Sequence, residues 1–99
     1  MKIFNFGACK ARHEMPKEVE GYFFGNVISD VTDIQTLEFQ AFQFLHAQGF
    51  ENGDSVNLFA TGLTVAVISA INAIKRAGGQ VTIMHYDRAS GQYYPQNVY

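Results

Sequence analysis

A strand, a tight turn and an apolar helix follow one another between Ser55 and Gly79, and this segment restricts the possible folds more than any other. The run Ser55–Ala60 is short and largely apolar, which is typical of a buried strand. Thr61–Thr64 forms the turn, and Thr64 is expected to cap a helix that continues to Ala77. A buried strand that leads directly into an apolar helix predicts an α/β protein, in which the helix packs back onto a parallel sheet.

The other elements follow from hydrophobic periodicity and turn residues. Alternating, β-branched and aromatic residues predict strands, and an i, i+3, i+4 spacing of apolar residues predicts an earlier helix. The predicted strands are Met1–Phe6, Tyr22–Ile28, Ser55–Ala60, Gln80–Tyr86 and Gln92–Val98, and the earlier helix runs from its cap, Asp33, to about Gln48. The last two strands are expected to form a hairpin, and Pro95 favours an edge position for the final strand.

The order of these elements predicts a small Rossmann-like α/β fold with a mostly parallel sheet of about five strands, two main helices and a C-terminal hairpin. A chain of 99 residues is expected to form a single domain, 1–99. The second helix is apolar on nearly all sides, so it should be buried on more than one side or contribute to a dimer interface. Nine Phe and five Tyr also favour self-association, and we expect a homodimer.

Composition excludes several classes of function. A formal net charge of −2 argues against binding of duplex nucleic acid, which usually needs a basic surface. The single cysteine, Cys9, and the lack of a signal-peptide pattern predict a cytoplasmic protein. No apolar run approaches the ~20 residues that span a bilayer, so no membrane partner is expected. The His, Cys and Asp residues lack the spacing of known metal motifs, and we expect neither a metal nor a cofactor.

Three segments should meet at one edge of the sheet, because ligands of open parallel sheets bind beyond the carboxyl ends of the strands. These segments are Gly7–His13, Thr61–Thr64 and His85–Arg88. They would supply cations, hydroxyls and backbone N–H groups, while the helix N-terminus adds about half a positive charge, a combination that suits phosphate. The candidate ligand-binding residues are Gly7, Ala8, Lys10, Arg12, Thr61, Gly62, Leu63, Thr64, His85 and Arg88.

Each part of this candidate site also has a purely structural interpretation. Thr61–Thr64 could be only a strand-to-helix connection with a threonine cap. Lys10 and Arg12 could be solvated loop charges, and the dipeptide 87–88 could simply begin a hairpin turn. The prediction of a site therefore depends on the convergence of the three segments rather than on any single residue.

The strand Val56–Phe59, the turn Thr61-Gly62-Leu63-Thr64 and the helix that follows resemble the CRISPR-associated Rossmann-fold (CARF) domains and their small stand-alone relatives, which include ring nucleases. The likeness extends to about Arg88, and Met84–Arg88 with Gln92–Gln96 is similar to a signature of small members. In that family, the Thr/Ser–Gly turn holds the phosphates of a cyclic oligoadenylate, and the loop after the first strand is the other usual contact. Members are usually dimers with the ring on the two-fold axis.

The resemblance implies a cyclic oligoadenylate ligand of type III CRISPR antiviral defence, with cyclic tetra-adenylate favoured. The chain has fewer strand–helix units than a full CARF domain and carries no effector domain, which implies a free-standing protein that captures or degrades the messenger. A metal-independent phosphodiesterase would align the ribose 2′-hydroxyl with the neighbouring phosphorus, and the candidate catalytic residues are Lys10, His13 and His85. Both histidines could equally be hydrogen-bonded structural residues.

Two alternatives to an enzyme stay open. A sequestering protein needs the same pocket without the in-line geometry of cleavage. A small α/β protein that binds another nucleotide or a phosphorylated metabolite would use the same kind of edge. The sequence shows no acid–base pair at a fixed spacing, which slightly favours binding over cleavage.

Overall fold

The computed structural model describes residues 1–10, 14–25 and 30–99. The strands are β1 (Ile3–Cys9), β2 (Gly21–Phe24), β3 (Ser55–Phe59), β4 (Gln80–Asp87) and β5 (Gln92–Val98), and the helices are α1 (Ile34–Ala47) and α2 (Thr64–Arg76). They form one five-stranded sheet in the order β2-β1-β3-β4-β5, parallel except for the antiparallel pair β4–β5. The predicted α/β fold with a mostly parallel sheet, two helices and a C-terminal hairpin is confirmed.

Both helices pack on the same face of the sheet, because the core combines one alternation of the three central strands β1, β3 and β4 with residues of both helices. The sheet contributes Phe6, Ala8, Phe23, Val56, Leu58 and Val81 to this core. From α1, the Phe44 ring lies 4.9 Å from the ring of Phe6 and 4.9 Å from that of Phe23. The predicted burial of α2 on more than one side is met by its contacts with the sheet and with α1, although Ile68 is 51% exposed.

The other face of the sheet is open, since no helix covers it in the described part of the chain. Near the amino ends of the parallel strands, a polar row crosses the sheet in register and continues onto the antiparallel β5: Asn5, Asn57, Thr82 and Asn97. The Asn57 amide donates to Asn5 Oδ1 at 2.9 Å, and the Thr82 hydroxyl donates to Asn97 Oδ1 at 3.0 Å. The next row on this face is Gly7, Phe59, Met84 and Pro95. The open face therefore changes from polar to apolar towards the carboxyl edge.

Several strand ends differ from those predicted, and the carboxyl ends of β1 and β2 differ most. β1 continues to Cys9 instead of ending at Phe6, because its last residues pair with strands on both sides: Gly7 faces Tyr22 of β2 and Phe59 of β3. β2 ends at Phe24, and most of its predicted extension to Ile28 lies outside the described residues. Pro95 lies in β5, at the edge of the sheet as predicted.

Local capping explains where α1 begins and how the amino edge of the sheet is closed. The Asp33 carboxylate accepts hydrogen bonds from the Thr36 N–H at 3.2 Å and the Thr36 hydroxyl at 2.7 Å, so the predicted cap is confirmed. At the amino edge, the buried Asp54 carboxylate accepts from the N–H groups of Lys2 at 2.8 Å and Glu51 at 2.9 Å. These two donors lower the pKa of Asp54, because they stabilise its ionised form.

Candidate ligand site at the carboxyl edge of the sheet

The end of β1 and the turn after β3 are joined by two hydrogen bonds. The Cys9 N–H donates to the Thr61 carbonyl at 3.2 Å, and the Thr61 hydroxyl donates back to the Cys9 carbonyl. Thr61 is 5% exposed, so its hydroxyl is engaged inside the protein rather than directed at a ligand. Thr61, predicted as a ligand-binding residue, therefore connects two of the three predicted segments. We call this pair of bonds the Cys9–Thr61 clasp.

Gly62 lets the turn pass very close to Cys9. Its φ is +86°, in the left-handed region that favours glycine, and a Cβ added there would lie 2.5 Å from the Cys9 Cβ. Partial burial raises the pKa of the Cys9 thiol, and a hydrogen bond from the Leu63 N–H opposes this rise only in part. The thiol is therefore protonated at neutral pH, and it is not an activated nucleophile.

The start of α2 differs from the prediction. Leu63 occupies the N-cap position, because its carbonyl accepts from the N–H groups of Ala66 at 3.0 Å and Val67 at 3.1 Å. The prediction that Thr64 is the cap is wrong: Thr64 is the first residue of the helix and is exposed. Among the described residues, this helix start has neither a side-chain cap nor an acidic residue in its first turn. No side chain of the described residues therefore compensates the partial positive charge of this helix start.

The third segment is linked to the same turn. The Ala60 N–H donates to the Met84 carbonyl at 3.0 Å, which brings the residues after Met84 next to the turn. His85 lies within β4, and its Nε2 forms a 2.7 Å hydrogen bond with Gln96 Oε1 of β5. Its ring packs 5.3 Å from the ring of Tyr94. These contacts match the structural interpretation of His85, since β5 holds its side chain.

The hairpin turn accounts for the residues that follow His85. The Asp87 carboxylate accepts from the Ser90 hydroxyl at 2.8 Å and from the Ala89 N–H at 3.2 Å, and these two bonds lower the pKa of Asp87. Asp87 therefore starts the turn, as its structural interpretation predicted. Arg88 is exposed at the tip of this hairpin, where its guanidinium faces solvent.

The first predicted segment is only partly a loop. Gly7 and Ala8 belong to β1 and are buried, because the Tyr22 ring covers Gly7 and the Ala8 side chain points into the core. The prediction that they lie in a loop is wrong, because β1 continues to Cys9. Their predicted contact with a ligand stays a prediction. Lys10 directly follows the Cys9–Thr61 clasp and is exposed. Arg12 and His13 lie outside the described residues.

A second feature of this end of the molecule was not predicted. A cleft of about 530 Å³ lies on the open face, between residues 14–18 and the carboxyl ends of β3 and β4 with the start of β5. Strand alternation indicates that Phe59 and Met84 share a face, but it does not indicate that residues 14–18 lie over them. The cleft depends on that arrangement.

Fold and edge together define a small Rossmann-like α/β protein whose carboxyl edge carries an uncapped helix start and the exposed Lys10. Comparison with protein-family models, curated proteins and solved structures finds no match to the chain. Within residues 1–10, 14–25 and 30–99, no group of three or more His, Cys, Asp or Glu side chains could hold a metal ion. Neither helix in these ranges is long and apolar enough to cross a membrane.

Proposed function

We propose that the protein binds the phosphates of a cyclic oligoadenylate, cyclic tetra-adenylate above all, at the carboxyl edge of the sheet. The observation that carries this proposal is the Cys9–Thr61 clasp. It brings the end of β1 directly against the turn that starts α2. Lys10, which follows the clasp, then lies at the same edge as the uncapped helix start. A cation beside free backbone N–H groups is a common arrangement for binding phosphate.

The electrostatics of the edge differ from those of the whole chain. The net charge of −2 would repel an anionic ligand at long range, but local fields decide binding at contact distance. Lys10 and Arg88 are exposed on the segments that end β1 and β4, and the start of α2 adds a partial positive charge. The electrostatic potential at this edge would favour binding of a cyclic polyanion.

Two features favour capture of the messenger over its cleavage. His85 Nε2 is hydrogen-bonded to Gln96, so this candidate for proton transfer is held by a structural partner. The Cys9 thiol, with its raised pKa, offers no thiolate nucleophile. We therefore propose a sequestering protein, and a slow metal-independent ring nuclease that uses Lys10 or His13 is the second candidate.

A homodimer in the cytoplasm is the assembly we propose for this function. A two-fold pair would present two equivalent edges to a symmetric cyclic ligand. Aromatic side chains remain available for such a contact, since Phe39 is 60% and Phe42 is 40% exposed on α1. This matches the excess of aromatic residues noted in the sequence.

Native mass spectrometry with cyclic tri-, tetra- and hexa-adenylate tests the proposal and reports stoichiometry at the same time.

Lys10→Ala should weaken binding about tenfold and flatten its salt dependence, because a charge-assisted hydrogen bond is worth about 1.5–3 kcal/mol. Arg76→Ala is the matched control: it removes the same charge at the other end of α2 and should leave affinity within about twofold. Thr64→Val, a fold-preserving change at an exposed position, should also weaken binding.

Two outcomes would reject parts of the proposal. Failure of all three rings to bind, together with binding of another nucleotide or a phosphorylated metabolite, would select the alternative function. For the enzyme question, labelled cyclic tetra-adenylate is incubated with excess protein and EDTA. A ring that stays intact for hours identifies a sequestering protein, and a linear product identifies a nuclease.

A further inference from the structure

The open-face cleft has the size and lining of a small-molecule site. Its volume of about 530 Å³ falls within the roughly 300–1,000 Å³ typical of ligand clefts. Three side chains of the sheet, Phe59, Met84 and Tyr93, form an apolar floor. Charged and polar residues of the loop and hairpin, namely Glu14, Lys17, Glu18 and Gln92, form the rim. An apolar floor beneath a few polar groups suits a flat, partly polar ligand.

The aromatic part of the cleft is held in place by its neighbours. The Tyr93 ring packs edge-to-face on Phe59 at 4.9 Å and lies 5.2 Å from the Tyr86 ring. Its hydroxyl donates to the Met15 sulfur at 3.3 Å, which ties the overlying loop to β5. Burial raises the pKa of Tyr93, so the hydroxyl stays protonated as this donor. A ring fixed in this way can bind another flat ring at little cost in conformational entropy.

The charges at the rim indicate which part of a nucleotide would enter. Glu14 and Glu18 carry two negative charges against the one positive charge of Lys17, so the rim repels phosphate. Carboxylates accept hydrogen bonds, and an exocyclic amino group of a base donates them. The rim therefore suits an aminopurine better than a base that presents only a carbonyl at the same position.

We propose that this cleft binds a purine base that carries an exocyclic amino group. The base would stack on the floor of the cleft, which Phe59, Met84 and Tyr93 form. The cleft would thus be a base site, separate in chemistry from the phosphate site at the edge. The choice of adenine as the base rests on the proposed function, whereas the cleft, its floor and its rim do not.

Methyl NMR of methionine provides a direct test, because two of the chain's three methionines, Met15 and Met84, line the cleft. The third, Met1, is an internal control at the amino edge, where its sulfur lies 3.9 Å from the Ser55 hydroxyl oxygen. Adenosine, which has no phosphate, is titrated to on the order of 10 mM, a range that detects millimolar binding. The signals of Met15 and Met84 should shift through ring currents while that of Met1 stays in place. Unshifted signals for Met15 and Met84 at the end of the titration would overturn the proposal.

Two tyrosine variants separate the loss of base stacking from a general effect of removing an aromatic side chain from β5. Tyr93→Ala should weaken adenosine binding about tenfold, in line with the stacking of one base on an aromatic ring. Tyr94→Ala is the matched control: Tyr94 is the next residue of β5, points to the other face and is 53% exposed, so affinity should not change. Equal affinities for the two variants would overturn the proposal.

A comparison of two nucleosides tests the role of the rim carboxylates without a substitution in the core. Glu14→Gln with Glu18→Gln changes only exposed loop residues and should leave the fold intact. Wild-type protein should bind adenosine several-fold more tightly than inosine, which has a carbonyl in place of the amino group, and the double variant should lose that preference. Equal binding of the two nucleosides by wild-type protein would overturn the choice of an aminopurine.

The base site and the phosphate site fail independently. If adenosine shifts Met15 and Met84 but no cyclic oligoadenylate binds, the base site stands and the proposed function falls. If a cyclic oligoadenylate binds, Lys10→Ala weakens that binding, and the signals of Met15 and Met84 do not shift, then the phosphate site stands and the base site is rejected.

Discussion

At the residue scale, Gly62 combines two constraints that only glycine meets. Its φ of +86° is unfavourable for other residues, and its missing Cβ makes room for Cys9. The Cys9–Thr61 clasp requires this close passage, because the turn must return to β1 before α2 begins. A single position thus controls whether the two main segments of the candidate site meet.

We predict that Gly62→Ala lowers the free energy of unfolding by about 3 kcal/mol, the sum of left-handed strain and a steric clash with Cys9. Gly53→Ala is the matched control, since Gly53 has a φ of +94° but open space around a new Cβ. It should cost about 1 kcal/mol through backbone strain alone. Urea unfolding of both variants measures the difference, and equal losses would show that Cys9 moves aside without cost.

At the element scale, the two helices begin in opposite ways. α1 starts at Asp33, whose carboxylate accepts two hydrogen bonds from Thr36. α2 starts at Leu63, which has no capping side chain, next to the proposed phosphate site. The sequence thus provides a capping side chain at the start of α1 and none at the start of α2. In the proposed function, a phosphate would take the place of the cap at α2.

Leu63→Asp should therefore have opposite effects on stability and on binding. Leu63 is 49% exposed with an extended backbone conformation that suits a cap, so aspartate should stabilise the protein by about 1 kcal/mol. The same carboxylate should compete with phosphate for the helix start and weaken cyclic tetra-adenylate binding at least tenfold, by an order-of-magnitude estimate. Thermal unfolding and calorimetric titration measure the two effects.

Leu63→Ala serves as the control for that experiment, because it removes the leucine without adding a cap. Its affinity should stay close to that of the wild type. A stabilised Leu63→Asp protein that keeps full affinity would mean that the start of α2 takes no part in binding.

At the scale of the whole molecule, stability should decrease from the centre of the sheet to its edges. β3 is paired on both sides, by β1 and β4, and its buried residues Val56 and Leu58 lie under the helices. β2 has only four residues, and β5 has one free edge. Strands with fewer paired and buried backbone groups open at lower free energy.

Hydrogen exchange should reproduce this order. The amides of Val56 and Leu58 should exchange only through global unfolding, and those of β5 that face its free edge should exchange much faster. The measurement is made at two protein concentrations, because pairing of β5 with a second chain would protect its edge at the higher one. Protection of β5 equal to that of β3 at both concentrations would contradict the predicted order.

The sequence predicted the elements well where local signals are strong. α1 begins directly after its capping aspartate, and β5 has the predicted bounds Gln92–Val98, because the hairpin turn that Asp87 begins comes directly before it. The end of β1 was wrong, since pairing with two neighbouring strands extends it past Gly7. At the candidate site, Lys10, Gly62 and Thr64 lie at the predicted edge, whereas Gly7, Ala8 and Thr61 serve the structure. The predicted ligand contacts of all these residues stay predictions, and Arg12 and His13 lie outside the described residues.

By itself the sequence determined the order of strands and helices and the residues that end them, because hydrophobic period, capping and turn chemistry act over a few neighbouring positions. Tertiary structure alone decided which polar groups remain available for a ligand. Hydroxyl, imidazole and thiol groups form hydrogen bonds with polar groups that the fold brings within reach. For Thr61, His85 and Cys9, the partner lies on another segment of the chain. The open-face cleft has the same origin, since it exists only where the loop at 14–18 crosses strands far away in sequence.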